Sequence, residues 1–236
     1  MENLKKAFEK FNIPSDGSKE QKLSQYMEGI LERNQYINLT AITDRDEFIQ
    51  KHYIDSLLCA GDEEFRNVET IIDVGTGGGF PGIPLAVAFP QKKFVLMDSL
   101  NKRIKIIREL CDELGIDNVE TVHGRAEELA RQKNMRESFD LCISRAVANM
   151  STLSEYCLPF VKVGGTFIAY KGADCEQEIE DAKAAIEVLG GSLLRQESPK
   201  IEGFPFNHKL ILIAKQKNTG SKFPRKAGTP SKEPIK

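Results

Sequence analysis

The sequence predicts an α/β fold in which helices cover both faces of a mostly parallel sheet, preceded by a helical extension. Three observations support this prediction. Residues 1–60 have helical periodicity. From residue 68 onward, five short apolar segments alternate with segments of helical periodicity, as in repeated strand–helix units. The last two apolar segments have no helical pattern between them, so we expect the final strand to be antiparallel.

Length and composition indicate a soluble globular protein. The chain has 236 residues, of which 40% are hydrophobic and 29% charged, enough for one core with a small added subdomain. The N-terminus lacks the apolar stretch of a signal peptide, and the longest apolar runs end before membrane-spanning length, so we expect a cytoplasmic protein without membrane contact. The five cysteines form no CxxC pair, which predicts reduced thiols and no metal site.

The helical extension is predicted to occupy residues 1–62. Ser18 and Gln21 have the spacing of a capping box at a helix start. Apolar residues then recur at helical spacing, namely Leu23, Tyr26, Met27, Ile30 and Leu31. A further helix is predicted to begin near Thr43 or Asp44.

The main domain is predicted to occupy residues 63–216. Its first five strands are expected at 69–75, 92–98, 118–124, 139–145 and 164–172. The helices that follow them are expected at 83–89, 101–114, 126–133, 149–158 and 174–189. Two further strands are expected between residues 190 and 217, which completes the sheet.

The C-terminal tail, residues 217–236, is rich in Gly, Pro and Lys and is predicted to be irregular. From Lys215 onward the chain carries a net charge of +6, whereas the remainder carries −8. A basic tail on an acidic body is consistent with a polyanionic partner. A solvated terminus is the alternative, and the charge alone favours it.

A glycine-rich turn follows the first predicted strand, in the segment IIDVGTGGGFPGIP at 71–84. A phosphate-binding P-loop is excluded because Ile83 and Pro84 stand where Lys and Ser or Thr are required. The dinucleotide fingerprint fails because Phe80 replaces its third glycine. The remaining pattern is D-x-G-x-G-x-G, formed by Asp73, Gly75, Gly77 and Gly79. Such a turn suits the methionine and ribose of S-adenosylmethionine, with the Asp73 carboxylate facing the cationic end.

Two further positions are candidates for binding the nucleoside. Asp98 ends the second predicted strand and can accept hydrogen bonds from ribose hydroxyls, although this also fits NAD. Ala126 and Glu127 follow the third strand, where an adenine edge would lie. The alternative for Glu127 and Glu128 is that they are acidic residues of a first helical turn.

The motifs together resemble a known family. The matching segments are INLTAI (37–42), KHYIDSL (51–57), IIDVGTGGGFPGIPLA (71–86), DSLNKRIKII (98–107), VHGRAEEL (122–129), SRAVA (144–148), YKG (170–172) and PRKAGTPSK (224–232). In these segments the chain resembles the RsmG family, also called GidB, the bacterial 16S rRNA guanine-N7 methyltransferases. The most specific matches are the glycine-rich block, the DSLNKR that follows it, and SRA at 144–146.

The resemblance implies a class I S-adenosylmethionine-dependent methyltransferase fold, Rossmann-like, with seven strands. It implies cofactor contacts at Gly75, Phe80, Ala126, Glu127 and Arg145. The implied substrate is a guanine in the so-called 530 loop of 16S rRNA, so the expected partner is this RNA or the 30S subunit. We expect a monomer.

The chemistry of guanine N7 agrees with the residues present. N7 carries a free lone pair at neutral pH, so its methylation requires mainly correct distance and angle and no catalytic base. The sequence has no N/D-P-P-Y/F motif after the fourth strand, where enzymes that methylate exocyclic amines place one. Arg145 is the best candidate for a catalytic role, aimed at the cofactor, a phosphate or guanine O6. A surface salt bridge is the alternative.

RNA contacts are predicted at His52, Lys171, Arg225 and Lys226. If rRNA binds, we expect a local basic rim made of Lys51, Arg103, Arg145, Lys171, Lys222, Arg225 and Lys226. His52 and Asp55 are expected to contact each other. His208 is interpreted as an edge residue without a function, and His123, at the end of the third strand, is assigned no role. Two other functions stay open from the residues: methylation of a small molecule or protein, and a nucleotide-binding module without turnover.

Overall fold

The computed structural model describes residues 1–201, 203–204 and 208–236. Seven strands form one sheet: β1 (Thr70–Val74), β2 (Lys93–Asp98), β3 (Val119–His123), β4 (Phe139–Arg145), β5 (Val161–Lys171), β6 (Gly191–Glu197) and β7 (Lys209–Lys215). Their order is β3-β2-β1-β4-β5-β7-β6. β1 to β5 are parallel, and β7 pairs antiparallel with both β5 and β6. The predicted sheet and its antiparallel last strand are confirmed.

The described chain forms eleven α-helices. They are α1 (Glu2–Lys10), α2 (Ser18–Arg33), α3 (Arg45–Phe48), α4 (Glu63–Arg66), α5 (Gly82–Ala88), α6 (Asn101–Leu114), α7 (Ala126–Leu129), α8 (Met150–Cys157), α9 (Glu176–Asp181), α10 (Lys183–Val188) and α11 (Thr229–Lys232). A π-helical segment, Ile49–Ile54, continues α3, and 3₁₀ turns lie at Leu57–Gly61 and Leu158–Phe160. None of these helices is long and apolar enough to cross a membrane.

The central strand β1 is apolar because it is covered on both faces. Ile71 and Ile72 are fully buried and belong to different core clusters, one on each side of the sheet. In the parallel register, Asp73 lies opposite Leu96 of β2 and Ile143 of β4. The carboxyl ends of these three strands therefore meet at one edge of the sheet, where ligands bind in open α/β sheets.

The N-terminal extension shares its core with one face of the sheet. Leu4 and Leu23 belong to the same buried cluster as Ile71 of β1. The α2 helix begins at Ser18, although Asp16 rather than Ser18 supplies the side-chain acceptor at its start. The Tyr26 hydroxyl donates a hydrogen bond of 3.0 Å to the carbonyl of Gly78. The extension therefore touches the glycine-rich turn directly.

The C-terminal tail packs on the domain and includes a short helix, which its composition did not predict. Phe223 is buried, and the Thr152 hydroxyl of α8 donates to the carbonyl of Pro230 at 2.9 Å. The Arg225 guanidinium and backbone N–H both donate to the carboxylate of Glu155, a fully buried residue of α8. A buried carboxylate with this many donors ties the tail to the sheet domain.

We expect Arg225→Ala to lower the free energy of unfolding by about 1–3 kcal/mol, because buried Glu155 loses its guanidinium partner. Lys226→Ala is the matched control, since the exposed Lys226 forms no ion pair within the described residues. The control should change the free energy of unfolding by less than about 0.5 kcal/mol. Urea denaturation measures both. Equal, small decreases in the free energy of unfolding of the two variants would show that the Arg225–Glu155 contact contributes no net stability.

Candidate active site

The glycine-rich turn between β1 and α5 bends through three residues with positive φ, which are Gly75 (76°), Gly77 (61°) and Gly79 (93°). A Cβ at Gly79 would lie 2.5 Å from Tyr26 Oη, and one at Gly75 would lie 2.5 Å from a methyl group of Val147. A Cβ at Gly77 would meet no heavy atom of the described residues within 4 Å. Packing therefore explains Gly75 and Gly79, whereas Gly77 borders free space that suits close approach of a ligand.

Asp73 is fully buried beneath this turn. Its Oδ2 accepts hydrogen bonds from the Thr76 hydroxyl at 2.7 Å and from the Gly82 N–H at 2.9 Å. Its Oδ1 has no hydrogen-bond partner within the described residues. Burial raises the pKa of this carboxyl to about 7. Asp73 therefore stabilises the turn through Oδ2. Its buried Oδ1 can accept a hydrogen bond or contact a cationic group.

Asp98 joins the end of β2 to the glycine-rich turn. Its Oδ2 accepts from the Gly77 N–H at 3.0 Å, and its Oδ1 accepts from the Leu100 N–H at 2.8 Å. The Arg103 guanidinium lies 3.6 Å from Oδ2. Asp98 therefore links the glycine-rich turn to the segment that follows β2. Each carboxylate oxygen has two lone pairs, so Asp98 can still accept hydrogen bonds from hydroxyl groups.

Ala126 and Glu127 lie at the start of α7, and both are buried. Glu127 Oε1 accepts a hydrogen bond of 2.8 Å from the Gly228 N–H. The C-terminal tail therefore reaches the predicted adenine position, a contact between residues 101 positions apart that sequence spacing did not reveal.

Arg145, at the end of β4, is held by the N-terminal extension. Its Nη1 donates to Asp55 Oδ2 at 2.5 Å and to the Lys51 carbonyl at 3.1 Å. Its Nη2 lies 3.3 Å from His52 Nδ1. The other oxygen of Asp55 contacts His208 Nδ1 at 2.5 Å, although the sequence assigned His208 no role. The sequence also predicted direct contact between His52 and Asp55, whereas the structure joins them through Arg145.

His52 is neutral and fixed in orientation. Its ring stacks on Phe80 with centroids 4.3 Å apart and an interplanar angle of 4°. Burial first, and then the Arg145 charge, lower the pKa of His52 to about 3. Phe80 also packs edge-on against Phe48 of the extension. His52 Nε2 also lies 2.6 Å from Thr40 Oγ1. We name the set Thr40, His52, Asp55, Arg145 and His208 the histidine–arginine network.

Most cations of the predicted basic rim already have acidic partners. These ion pairs are Lys51–Glu47, Arg103–Asp98, Arg145–Asp55, Lys171–Glu178 and Arg225–Glu155. Lys222 and Lys226 are exposed and form no ion pair within the described residues. The RNA contacts at His52, Lys171, Arg225 and Lys226 stay predictions, and Lys226 has the most accessible charge of the four.

The strand order, the glycine-rich turn after β1 and the acid at the end of β2 define a class I methyltransferase fold. A putative O-methyltransferase from Klebsiella pneumoniae is similar in structure, with a TM-score of 0.53 at 14% identity over 87% of this chain and 92% of that one. The S-adenosylmethionine-dependent methyltransferase SibL has a TM-score of 0.52 at 14% identity, covering 69% and 55% of the two chains.

The particular family follows from sequence. Residues 19–202 match the profile of the GidB family, described as rRNA small subunit methyltransferase G. The ribosomal RNA small subunit methyltransferase G of Alkaliphilus metalliredigens is 47% identical over 99% of this chain and 98% of its own. The chain belongs to the GidB family.

Proposed function

We propose that this protein transfers a methyl group from S-adenosylmethionine to N7 of a guanine in the 530 loop of 16S rRNA. The observation that carries the proposal is the family match over residues 19–202, which includes the glycine-rich turn and most of the histidine–arginine network. The name of the Alkaliphilus relative supports a small-subunit rRNA substrate. A bacterial ribosomal substrate also supports a cytoplasmic location.

The residues at the sheet edge fit this cofactor. The buried Asp73 Oδ1 lacks a partner within the described residues and suits an ammonium or sulfonium cation. The free space beside Gly77 admits the nucleoside, and Asp98 can accept from its ribose hydroxyls. When bound, S-adenosylmethionine supplies an electrophilic methyl group on its sulfonium.

The network around Arg145 suits attack by a ring nitrogen. N7 needs no deprotonation before it attacks, but the guanine becomes cationic as the bond forms. A free guanidinium nearby would oppose that charge. Here Asp55 pairs with Arg145, and His52 is neutral. These three residues therefore add no net charge beside the developing cation, and they hold the base-binding side of the site rigid.

Incubation with methyl-labelled S-adenosylmethionine and 30S subunits lacking the modification tests the proposal. We expect label in 16S rRNA. Label in a small molecule or a protein from an added extract, with none in the rRNA, would contradict the substrate. Cofactor retained without transfer to any acceptor would contradict the enzymatic role.

The pKa of Asp73 leads to a prediction about cofactor affinity. The folded, ligand-free protein keeps this proton up to about pH 7, whereas an ordinary carboxyl releases it near 3.8. Without ligand, the free energy of unfolding therefore decreases as the pH rises from 3.8 to about 7, because the unfolded chain releases this proton at a lower pH than the folded protein does. A bound cation favours the ionised form, so we expect S-adenosylmethionine to bind about tenfold more weakly at pH 6 than at pH 8. Calorimetry measures this ratio.

Asp73→Asn is the control for this pH dependence, because the ligand's own amino group also titrates. The Asp73→Asn protein should bind S-adenosylmethionine weakly, and its affinity should change little between pH 6 and pH 8. If the Asp73→Asn protein kept the full tenfold ratio, the titration would belong to the ligand, which would contradict the placement of its cation beside Asp73.

A further inference from the structure

We propose that the Thr40 hydroxyl donates a hydrogen bond to O6 of the target guanine and so selects guanine over adenine. This inference rests on the proposed function and names a specificity-determining residue of the same site. Thr40 lies in the INLTAI segment, between α2 and α3, and is partly exposed.

The direction of each hydrogen bond in the network follows from Arg145. A guanidinium only donates, so His52 Nδ1, 3.3 Å from Arg145 Nη2, must accept. A neutral imidazole that accepts at Nδ1 carries its proton on Nε2. His52 Nε2 lies 2.6 Å from Thr40 Oγ1, so the histidine donates and the threonine oxygen accepts.

The Thr40 oxygen has no acceptor capacity left. It accepts from His52 Nε2 and also from the Ile42 N–H at 3.0 Å. A hydroxyl has two acceptor lone pairs and one donor hydrogen. No acceptor for that hydrogen lies within hydrogen-bond distance among the described residues, so Thr40 presents a donor alone.

The backbone around Thr40 is fixed beside the cofactor turn. Asn34 holds the loop by accepting from the Thr40 N–H at 3.0 Å and donating to the Thr40 carbonyl at 2.9 Å. The preceding Leu39 carbonyl would lie 3.1 Å from a Cβ built on Gly78 of the turn. Arg103, beside Asp98, donates to the Asn38 carbonyl at 3.2 Å. Thr40 therefore lies on a loop that flanks the methyl-donor site.

A donor-only hydroxyl distinguishes the two purines. Guanine presents acceptors at both N7 and O6, whereas adenine presents an acceptor at N7 and an amino donor at position 6. A hydrogen bond to O6 holds guanine while leaving N7 free for the methyl group. Opposite adenine, the amino group would face an oxygen whose lone pairs are both occupied, so two donors would meet.

Thr40→Val and Thr40→Ser test the assignment. Transfer of labelled methyl is measured on 30S particles reconstituted with 16S rRNA that carries either guanine or adenine at the modified position. We expect Thr40→Val to lower kcat/KM for guanine about ten- to hundredfold, the usual consequence of losing one buried hydrogen bond to substrate. Thr40→Ser should stay within about threefold of wild type. The guanine-to-adenine ratio should fall in the valine variant alone.

Thr43→Val is the matched control, because Thr43 is exposed three positions along and its hydroxyl makes no hydrogen bond among the described residues. It should retain wild-type turnover. Affinity for S-adenosylmethionine should be unchanged in all three variants, and the thermal midpoint should be unchanged in Thr40→Ser and Thr43→Val. The midpoint of Thr40→Val should fall, because His52 Nε2 and the Ile42 N–H lose their acceptor. Wild-type kcat/KM and base preference in Thr40→Val would overturn the inference, as would equal losses in the valine and serine variants. Absence of rRNA labelling by the wild-type protein would instead overturn the proposed function.

Discussion

Replacing Asp55 with alanine should lower the free energy of unfolding by about 3–5 kcal/mol and abolish methyl transfer, because it leaves a buried guanidinium without its counter-ion. The Asp55 side chain is 2% exposed and that of Arg145 is 9% exposed, so solvent cannot substitute for the lost carboxylate. His208 loses its partner in the same step. Urea denaturation, together with the labelled-methyl assay, measures the two effects.

The double variant Asp55→Ala, Arg145→Met distinguishes the effect of the ion pair on stability from its effect on turnover. Removing both charges together is expected to recover much of the stability lost in Asp55→Ala, because no unpaired ion stays buried. Turnover should not recover, since His52 no longer has a donor that fixes its tautomer. A loss below about 1 kcal/mol in Asp55→Ala would show that this pair behaves like a surface ion pair.

Gly77→Ala should reduce affinity for S-adenosylmethionine at least about a hundredfold, or about 2.7 kcal/mol, while the protein stays folded. Gly77 has a φ of 61°, and no atom of the described residues occupies the space that its Cβ would enter. The folded protein should therefore lose only about 1–2 kcal/mol through backbone strain. The methyl group would instead occupy the volume that we assign to the nucleoside. Calorimetry gives the affinity.

Gly115→Ala is a closely matched control for this variant. Gly115 ends α6 with a φ of 59°, and within the described part of the chain a Cβ there would also meet no heavy atom within 4 Å. Both variants should lose similar thermal stability, but Gly115→Ala should bind the cofactor as wild type does. Equal affinities in the two variants would show that the ligand does not approach Gly77.

The fold was predictable because its signals are local. The five parallel strands are short segments, and each is followed by a helical pattern that needs no long-range information. The start of α3 is also a local signal. It was predicted near Asp44, and the Asp44 side chain caps this helix. The ordered tail was not predicted, because its stability comes from Glu155, a residue 70 positions earlier in the chain.

The candidate site was predictable to a lesser extent. Spacing identified Asp73 and Asp98 as acids that follow strands, since strand ends converge at one edge of a parallel sheet. It could not show that Asp98 holds the Gly77 amide or that Asp55 neutralises Arg145, which lies 90 positions away. Thr40 carried no sequence signal beyond its motif, because its role depends on the direction of a hydrogen bond that Arg145 imposes.

The most direct test of the central claim is the identity of the methylated nucleoside. 16S rRNA labelled by this protein would be digested to nucleosides, and the labelled nucleoside would be identified by chromatography and mass spectrometry. The sequence has no N/D-P-P-Y/F motif after β4, and the Arg145 charge is offset by Asp55, so we expect the label in 7-methylguanosine. Label in a nucleoside methylated at an exocyclic amine or at a ring carbon would contradict it, because the attacking atom would then not be N7.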